Sequence, residues 1–405
     1  MNRYKNRRNK LISKIKNNLN IENFSIVLKS NDILIRSNDT EEDFRQNSNF
    51  YYLTGITFSD KCYFLINVND EVTTDTLYIE APNEKKLTWG EQLYHTDNLN
   101  KKEYEIDNVK KLIENNIYND IITSTTTNLI LMDSSHIALD GNWSFEDISY
   151  YLKKMRAVKE PYEINCIREA IAITKKAFGF VQDNLTTKTK EYNIQADVEY
   201  VYTNHNVPKS FQTIAASGIN ATVLHYISNN EELDIKDLIL IDTGCEYNMY
   251  ASDITRTIPL SGRMNEKQLL INNIIRETHD YILSLIKTGA LLSELKKEYE
   301  KYIYNLLMKN QILKQDFKLE DIKKVTKHNI SHHLGVDVHD VVLYKGLDGK
   351  ELPLQKNNVI TLEPGLYFNI KSILQNENFF GIGIRYENDI LVLDDISENL
   401  SLEIK

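Results

Sequence analysis

Five side chains able to hold divalent metal stand out along the chain: Asp242, Asp253, one of the adjacent pair His332 and His333, Glu363 and Glu387. Each lies in or beside a strand-like run. The segment LILIDTGCEYNMYASDITR, Leu238 to Arg256, is the most informative, because Asp242 and Asp253 are symmetric about a midpoint between Tyr247 and Asn248. A hairpin in that register sets the two carboxylates opposite each other. Like charges facing across strands destabilise by roughly 0.2–1 kcal/mol, and a bound cation removes that penalty. Taken alone, Asp242 also reads as a turn former and Asp253 as a helix cap; the rest of the constellation favours metal.

His328, His332, His333 and His339, four of nine histidines, fall within twelve residues, a concentration that points to ligation or proton handling. If the segment is extended, His332 and His333 point to opposite faces. Only one of them can meet the aspartates, and the pattern leaves open which. Glu363 closes the apolar run VITL ahead of Pro364-Gly365, which stops the strand and presents the acid at its end. In GIGIRYENDILVL, Arg385, Glu387 and Asp389 alternate and share one strand face. With Glu387 on metal, Arg385 fixes its orientation; without metal the two are an ordinary ion pair of low value.

Four carboxylates balance two divalent cations. Oxygen-rich ligation with one imidazole suits manganese, cobalt, zinc or iron, manganese foremost for its preference for carboxylates. Two such ions about 3.5–4 Å apart hold a bridging hydroxide at neutral pH. The implied reaction is hydrolysis.

The elements that must position these groups follow from hydrophobic patterning. At 405 residues the chain has the length of two domains. From Phe24 to about Tyr151, strand-like runs (FSIVLK, CYFLINV, TLYIEA, LILMD) alternate with helix-like stretches such as Lys101 to Asn116, an α/β pattern. The start, MNRYKNRRNKLISKIKNNLN, reads as the opening helix of that domain in preference to a transit peptide. A helix of about six turns begins at Pro161, with Ile164, Ile167, Ile171, Thr174, Phe178 and Val181 on its buried face. The boundary is placed just before it, giving domains 1–153 and 154–405. Asn265 and Gln268 form a capping box, Gly289 is placed to end that helix, and Ala290 to Leu313 reads as the next. The catalytic domain is thus α+β, its ligands gathered on the sheet.

The net charge of −10 argues against a nucleic-acid surface. Cys62, Cys166 and Cys245 give neither a disulfide framework nor a thiolate zinc site, which fits a reducing cytoplasm. No run is long and apolar enough to span a bilayer. Peptides or other small molecules are the expected substrates.

These motifs resemble the metallopeptidases of the "pita-bread" fold, the family of methionine aminopeptidase, prolidase and aminopeptidase P. The likeness runs from FRQNSNFYYLTG (Phe44 to Gly55) to GIGIRYEND. In that family the metal histidine lies three residues before a glycine, which selects His332 ahead of Gly335. The resemblance implies that Asp242 chelates one metal, that Asp253 and Glu387 bridge both, and that His332 and Glu363 complete the second. It implies that His225 and His339 bind substrate and the oxyanion, that Glu363 shuttles the proton, and that His328 and Arg385 belong to the active site. Trp89, in KLTWGEQL, resembles a residue that reaches a neighbouring subunit's site, and a homodimer or homotetramer is implied.

The full amino-terminal domain and HNISHHLGVDVHD, similar to HGxSHWLGxDVHD, favour the aminopeptidase P branch. Asn329 and His333 depart from it, standing where Gly and an aromatic residue are usual. The expectation is a cytoplasmic Xaa-Pro aminopeptidase using two divalent ions, manganese first with cobalt or zinc as alternatives, on peptides with proline second. Prolidase is the near alternative. A non-catalytic binding member and a metal-free creatinase-like enzyme are both disfavoured by the complete ligand set.

Overall fold

The computed structural model describes residues 3–58, 61–70, 72–89, 94–113, 119, 123, 129–132 and 144–404. The chain divides into two compact units, Met1–Lys154 and Met155–Lys405.

In the first unit, helix Arg3–Leu19 buries Leu11, Ile12 and Ile15 together with two arginines. Arg7 and Arg8 donate to the carbonyls of Tyr52 (3.2 Å) and Leu53 (2.9 Å), in the last turn of helix Ser48–Thr54. Cations suit that position, because the final carbonyls of a helix lack intrahelical donors. The strands are β1 (Phe24–Lys29), β2 (Ile35–Ser37), β3 (Thr40–Glu41), β4 (Tyr63–Asn69), β5 (Val72–Ile79), β6 (Asn108–Lys111), β7 (Leu129–Met132) and β8 (Ser144–Asp147). Six of them form a mixed sheet in the order β6-β5-β4-β1-β7-β8. The helix expected over Lys101 to Asn116 is absent: residues 101–105 are turns, Asn108–Lys111 pairs parallel with β5, and 114–116 lie outside the described residues. Sheet extension overrides local helix preference there. Asp133, last of the LILMD run, is also outside them.

In the second unit, helix Pro161–Asn184 starts where Glu163 accepts from the Glu160 backbone at 2.8 Å, and it buries the six positions the spacing marked. Helix Glu266–Leu285 opens on the reciprocal Asn265–Gln268 box. It ends at Ile286, whose extended backbone (φ −76°, ψ 116°) and burial stop it. Gly289, expected to end it, instead turns the chain at φ +92° and donates to Leu354 O. Helix Leu292–Lys309 follows. Ile271, Ile275 and Ile282 of one helix and Tyr299, Ile303 and Leu307 of the other share a core with Ile360, Leu362 and Ile390 of the sheet.

Strands β9 (Ile214–Ser217), β10 (Leu238–Thr243), β11 (Glu246–Tyr247), β12 (Tyr250–Ala251) and β13 (Ile254–Pro259) carry the aspartates. β10 pairs antiparallel with both β9 and β13, and Asp242 lies opposite Thr255, not Asp253. The hairpin turns at Asn248 (φ +49°) and Met249 (φ +68°), a two-residue loop with both central φ positive. Its centre is one residue beyond the expected midpoint, so the register moves by two. Side-chain parity survives a shift of two, and Asp253 becomes the diagonal neighbour of Asp242 on the same face. Gly244 touches the other arm so closely that a Cβ there would lie 1.8 Å from Ser252 O.

Strands β14 (Val359–Leu362), β15 (Gly365–Tyr367), β16 (Gly383–Arg385), β17 (Asn388–Leu391) and β18 (Glu398–Asn399) carry the glutamates. β14 with β17 and β15 with β16 keep one register, which, carried through the break, sets Glu363 opposite Glu387. Pro364 has no N–H to give and interrupts the ladder between them. The histidine segment lies along the other side of β14, where Thr361 N donates to His332 O and Glu363 N to Ile330 O, both at 2.9 Å. Glu387 N donates to Thr255 O at 3.2 Å, joining the glutamate arm to the aspartate arm.

Candidate metal centre

These contacts gather Asp242, Asp253, His332, Glu363 and Glu387 on the wall of one cavity of about 780 Å³. Asp253, His332 and Glu387 each offer a ligand atom, all within 4.8 Å of one another. His332 is oriented by its Nδ1, which donates to His333 O at 3.1 Å and turns Nε2 toward the acids, 3.4 Å from Asp253 Oδ2 and 3.9 Å from Glu363 Oε1. Asp242 Oδ1 is buried with no hydrogen-bond partner among the described residues. Both features fit divalent cations among these atoms, in a donor set of carboxylates and one imidazole.

The electrostatics agree. Burial, then the negative charge of neighbouring carboxylates, pushes Asp253 and Glu387 well above the ordinary carboxylate range; Glu363 rises for the same reasons, and Arg385 opposes all three shifts. A cation among them would offset that mutual repulsion and favour their ionised forms.

Arg385 lies differently from the expectation. Its Nη2 donates to Asp242 Oδ2 at 2.5 Å, while its Nε is 3.9 Å from Glu387. Glu387 is oriented by Thr255, whose hydroxyl donates to Oε2 at 2.7 Å and accepts from Arg385 Nε at 2.9 Å. Tyr367 completes this arrangement: its hydroxyl accepts from Arg385 Nη1 at 3.0 Å and lies 2.7 Å from His328 Nε2. His328 Nδ1 donates to Asn329 O at 2.6 Å, so Nε2 is the acceptor for Tyr367. Burial and the nearby Arg385 push the His328 imidazole down to about 3, in keeping with that neutral form. Asp389 accepts from Asp253 N at 3.2 Å, bracing a proposed ligand from behind.

His225 and His339 stand on the cavity wall, the His339 ring 4.3 Å from that of His332. His333 faces away toward Tyr344, 5.6 Å between rings, and burial drives it down to about 3, so it is neutral. The loop that carries His339 is clamped from below: Arg156 donates to Asp337 (2.5 Å) and to Asp340, and Lys159 to Asp340 (3.0 Å). Trp89 belongs to the first unit and is 72% exposed on helix Glu84–Trp89. Thr255, Tyr367 and Arg156 were not singled out in the sequence. Thr255 was within reach, being two residues beyond Asp253 on the same strand face; nothing local marks the other two.

A family model described as metallopeptidase family M24 matches residues 165–394, and one described as the aminopeptidase P N-terminal domain matches residues 4–130. The chain is 30% identical over 395 residues to a Xaa-Pro aminopeptidase of Escherichia coli, covering 91% of this chain and 88% of that protein. A Xaa-Pro aminopeptidase of Haemophilus influenzae is 30% identical over 380 residues, covering 89% and 85%. A solved variant of E. coli aminopeptidase P in complex with substrate superposes with a TM-score of 0.88 at 26% identity, covering 100% of this chain and 95% of that one. Zinc-substituted E. coli aminopeptidase P in complex with product matches equally, with a TM-score of 0.88. The fold is therefore the α/β amino-terminal domain and α+β pita-bread catalytic domain that the motifs implied.

Proposed function

The chain belongs to metallopeptidase family M24, and from that membership we propose that it is an Xaa-Pro aminopeptidase, releasing the first residue of peptides whose second is proline. The observation that carries the reading is His332 Nε2 turned in among the carboxylates, with ligand atoms of Asp253, His332 and Glu387 all within 4.8 Å of one another. Asp242, Asp253, His332, Glu363 and Glu387 would hold two divalent ions, manganese by preference. When bound, such ions would neutralise the acids, supply ionised water as a nucleophile at neutral pH and stabilise negative charge on the substrate oxygen.

The chain's own groups do the rest. Arg385 fixes Asp242 in place through a direct hydrogen bond, and Thr255 holds Glu387. His225 and His339, on the cavity wall, are placed to donate to the substrate carbonyl as negative charge develops on its oxygen. Glu363, whose carboxyl is raised by burial and its neighbours, takes the water proton and delivers it to the departing proline nitrogen. That delivery is essential because an amide nitrogen, that of a tertiary Xaa-Pro bond included, departs only when it is protonated. Phe211, Leu224, Ile227 and Tyr344 give the cavity an apolar wall that suits a proline ring.

No helix among the described residues is long and apolar enough to cross a membrane, in keeping with the cytoplasmic location we propose. A homodimer or homotetramer is part of the same reading, with exposed Trp89 offered to the site of a second copy. The test is a series of Xaa-Pro peptides of two, three and four residues, assayed with manganese, cobalt and zinc. Cleavage of tripeptides and longer is expected. Cleavage of dipeptides alone makes the enzyme a prolidase, and cleavage of none defeats the proposal.

A further inference from the structure

Glu191 is the first residue of helix Glu191–Asn204, a position where the helix dipole favours a negative charge. It is fully buried, yet it is neither a proposed ligand nor part of the cavity wall. Five donors converge on its one carboxylate. Oε1 accepts from Ser217 N (2.7 Å), Ser217 Oγ (2.8 Å) and Asn220 Nδ2 (3.0 Å); Oε2 accepts from Tyr226 OH (2.8 Å) and Glu231 N (3.0 Å). All five belong to the stretch from Ser217 to Glu231, which leaves β9 and carries His225 beside Tyr226. Burial works against ionisation, but the bonds from Ser217, Asn220 and Tyr226 hold this carboxyl below its usual range.

The same helix adds a second tie one turn on. Gln195 Oε1 accepts from Asn229 Nδ2 at 2.9 Å, and Asn229 also bonds Thr213 O and Ala215 N of the neighbouring strand. His225 itself is exposed on the cavity side, between Leu224 and Tyr226, so its position is set by how this loop is fastened. Leu224 and Ile227 of the same loop also line the cavity.

We infer that Glu191 is a positioning residue for His225: one buried carboxylate gathers both ends of the 217–231 loop and aims the histidine at the substrate. The inference rests on the functional reading above for the role of His225. A glutamine at 191 keeps the length and one acceptor but turns an amide donor toward Tyr226 and the Glu231 N–H, which cannot reverse its polarity. The loop then loosens on that side. Misplacement of a catalytic group by about 1 Å costs on the order of 100-fold in rate.

The experiment is a double-mutant cycle on the full-length, metal-loaded protein with a proline-second tripeptide. Glu191→Gln is expected to lower kcat/KM by about 10- to 100-fold, with metal content unchanged. His225→Ala is expected to lose at least as much, and the double variant no more than His225→Ala alone. Multiplied losses in the double variant, or turnover by Glu191→Gln at the wild-type rate, overturn the inference. Should Glu191→Gln fail to fold, Tyr226→Phe removes one strap only and must show a smaller loss that likewise vanishes beside His225→Ala. Should the wild type cleave no such peptide, or His225→Ala work normally, the functional reading has failed. Hydrogen exchange then decides the structural part: Tyr226→Phe must speed exchange of the 217–231 amides, and unchanged exchange refutes the positioning role.

Discussion

Asp253→Asn should strengthen the metal-free protein and weaken the metal-bound one. Asp253 and Glu387 present oxygens within 4.8 Å of each other in a buried site. At that distance and an effective dielectric of about 20, two full charges repel by about 3.5 kcal/mol. The cluster avoids part of this by holding protons, so the realised gain at neutral pH is about 1–2 kcal/mol, a rise in Tm of roughly 2–8 °C for a unit of this size.

The pH dependence fixes the sign. The folded-state values of Asp253, Glu363 and Glu387 are raised by burial and by one another. Their contribution to metal-free stability is therefore fully present below the ordinary carboxyl range and is lost as pH rises through the raised values. Asp253→Asn removes one such group, so its advantage is small near pH 4 and grows toward pH 8. With manganese the order reverses, because a proposed bridging carboxylate is gone. Calorimetric titration should show affinity lower by at least about 100-fold, equivalent to about 2.7 kcal/mol, and hydrolysis lost. The assay is thermal unfolding of both proteins in chelator and in excess manganese, from pH 4 to 8. A metal-free Asp253→Asn less stable than wild type at pH 8 would refute the reasoning.

Manganese at about 100 times its Kd should stabilise the wild type by about 2.7 kcal/mol, and scanning calorimetry with and without chelator measures it. Arg385→Met strands Asp242 without its cation and should cost about 3–5 kcal/mol in metal-free protein, read from urea unfolding. Arg156→Met leaves Asp340 to Lys159 alone; a loss of about 3 kcal/mol should appear in the same measurement, with slower turnover because the His339 loop loses its clamp. Asn265→Ala removes a helix cap that is not part of the cavity wall and should cost about 1 kcal/mol while kcat stays unchanged in the peptide assay.

The helices at Pro161 and Asn265 were legible because caps and a repeating apolar face are local signals, and the metal-binding segments because each acid closes an apolar run. The aspartate hairpin is centred one residue beyond the point its symmetry predicts, because Met249 takes positive φ without any turn-forming chemistry to announce it. Gly289 resembles a helix end in sequence, yet the helix stops at Ile286 and the glycine turns the chain three residues later. Lys101 to Asn116 shows how an edge strand is made by its neighbour, since Asn108–Lys111 has little strand character of its own until β5 pairs with it. Arg385 looked like the partner of Glu387 because the two are neighbours in sequence. Its bond to Asp242 spans 143 positions, a distance no local pattern encodes, and the same holds for Tyr367 with His328.

Gly244 carries a consequence for how this site can change. With only hydrogen admissible where the chain brushes Ser252 O, the spacing of the two aspartates is a property of main-chain geometry and closed to gradual substitution. Evolutionary tuning of ion preference is therefore left to the glutamate arm and the histidine strip, the movable jaw against a fixed anvil.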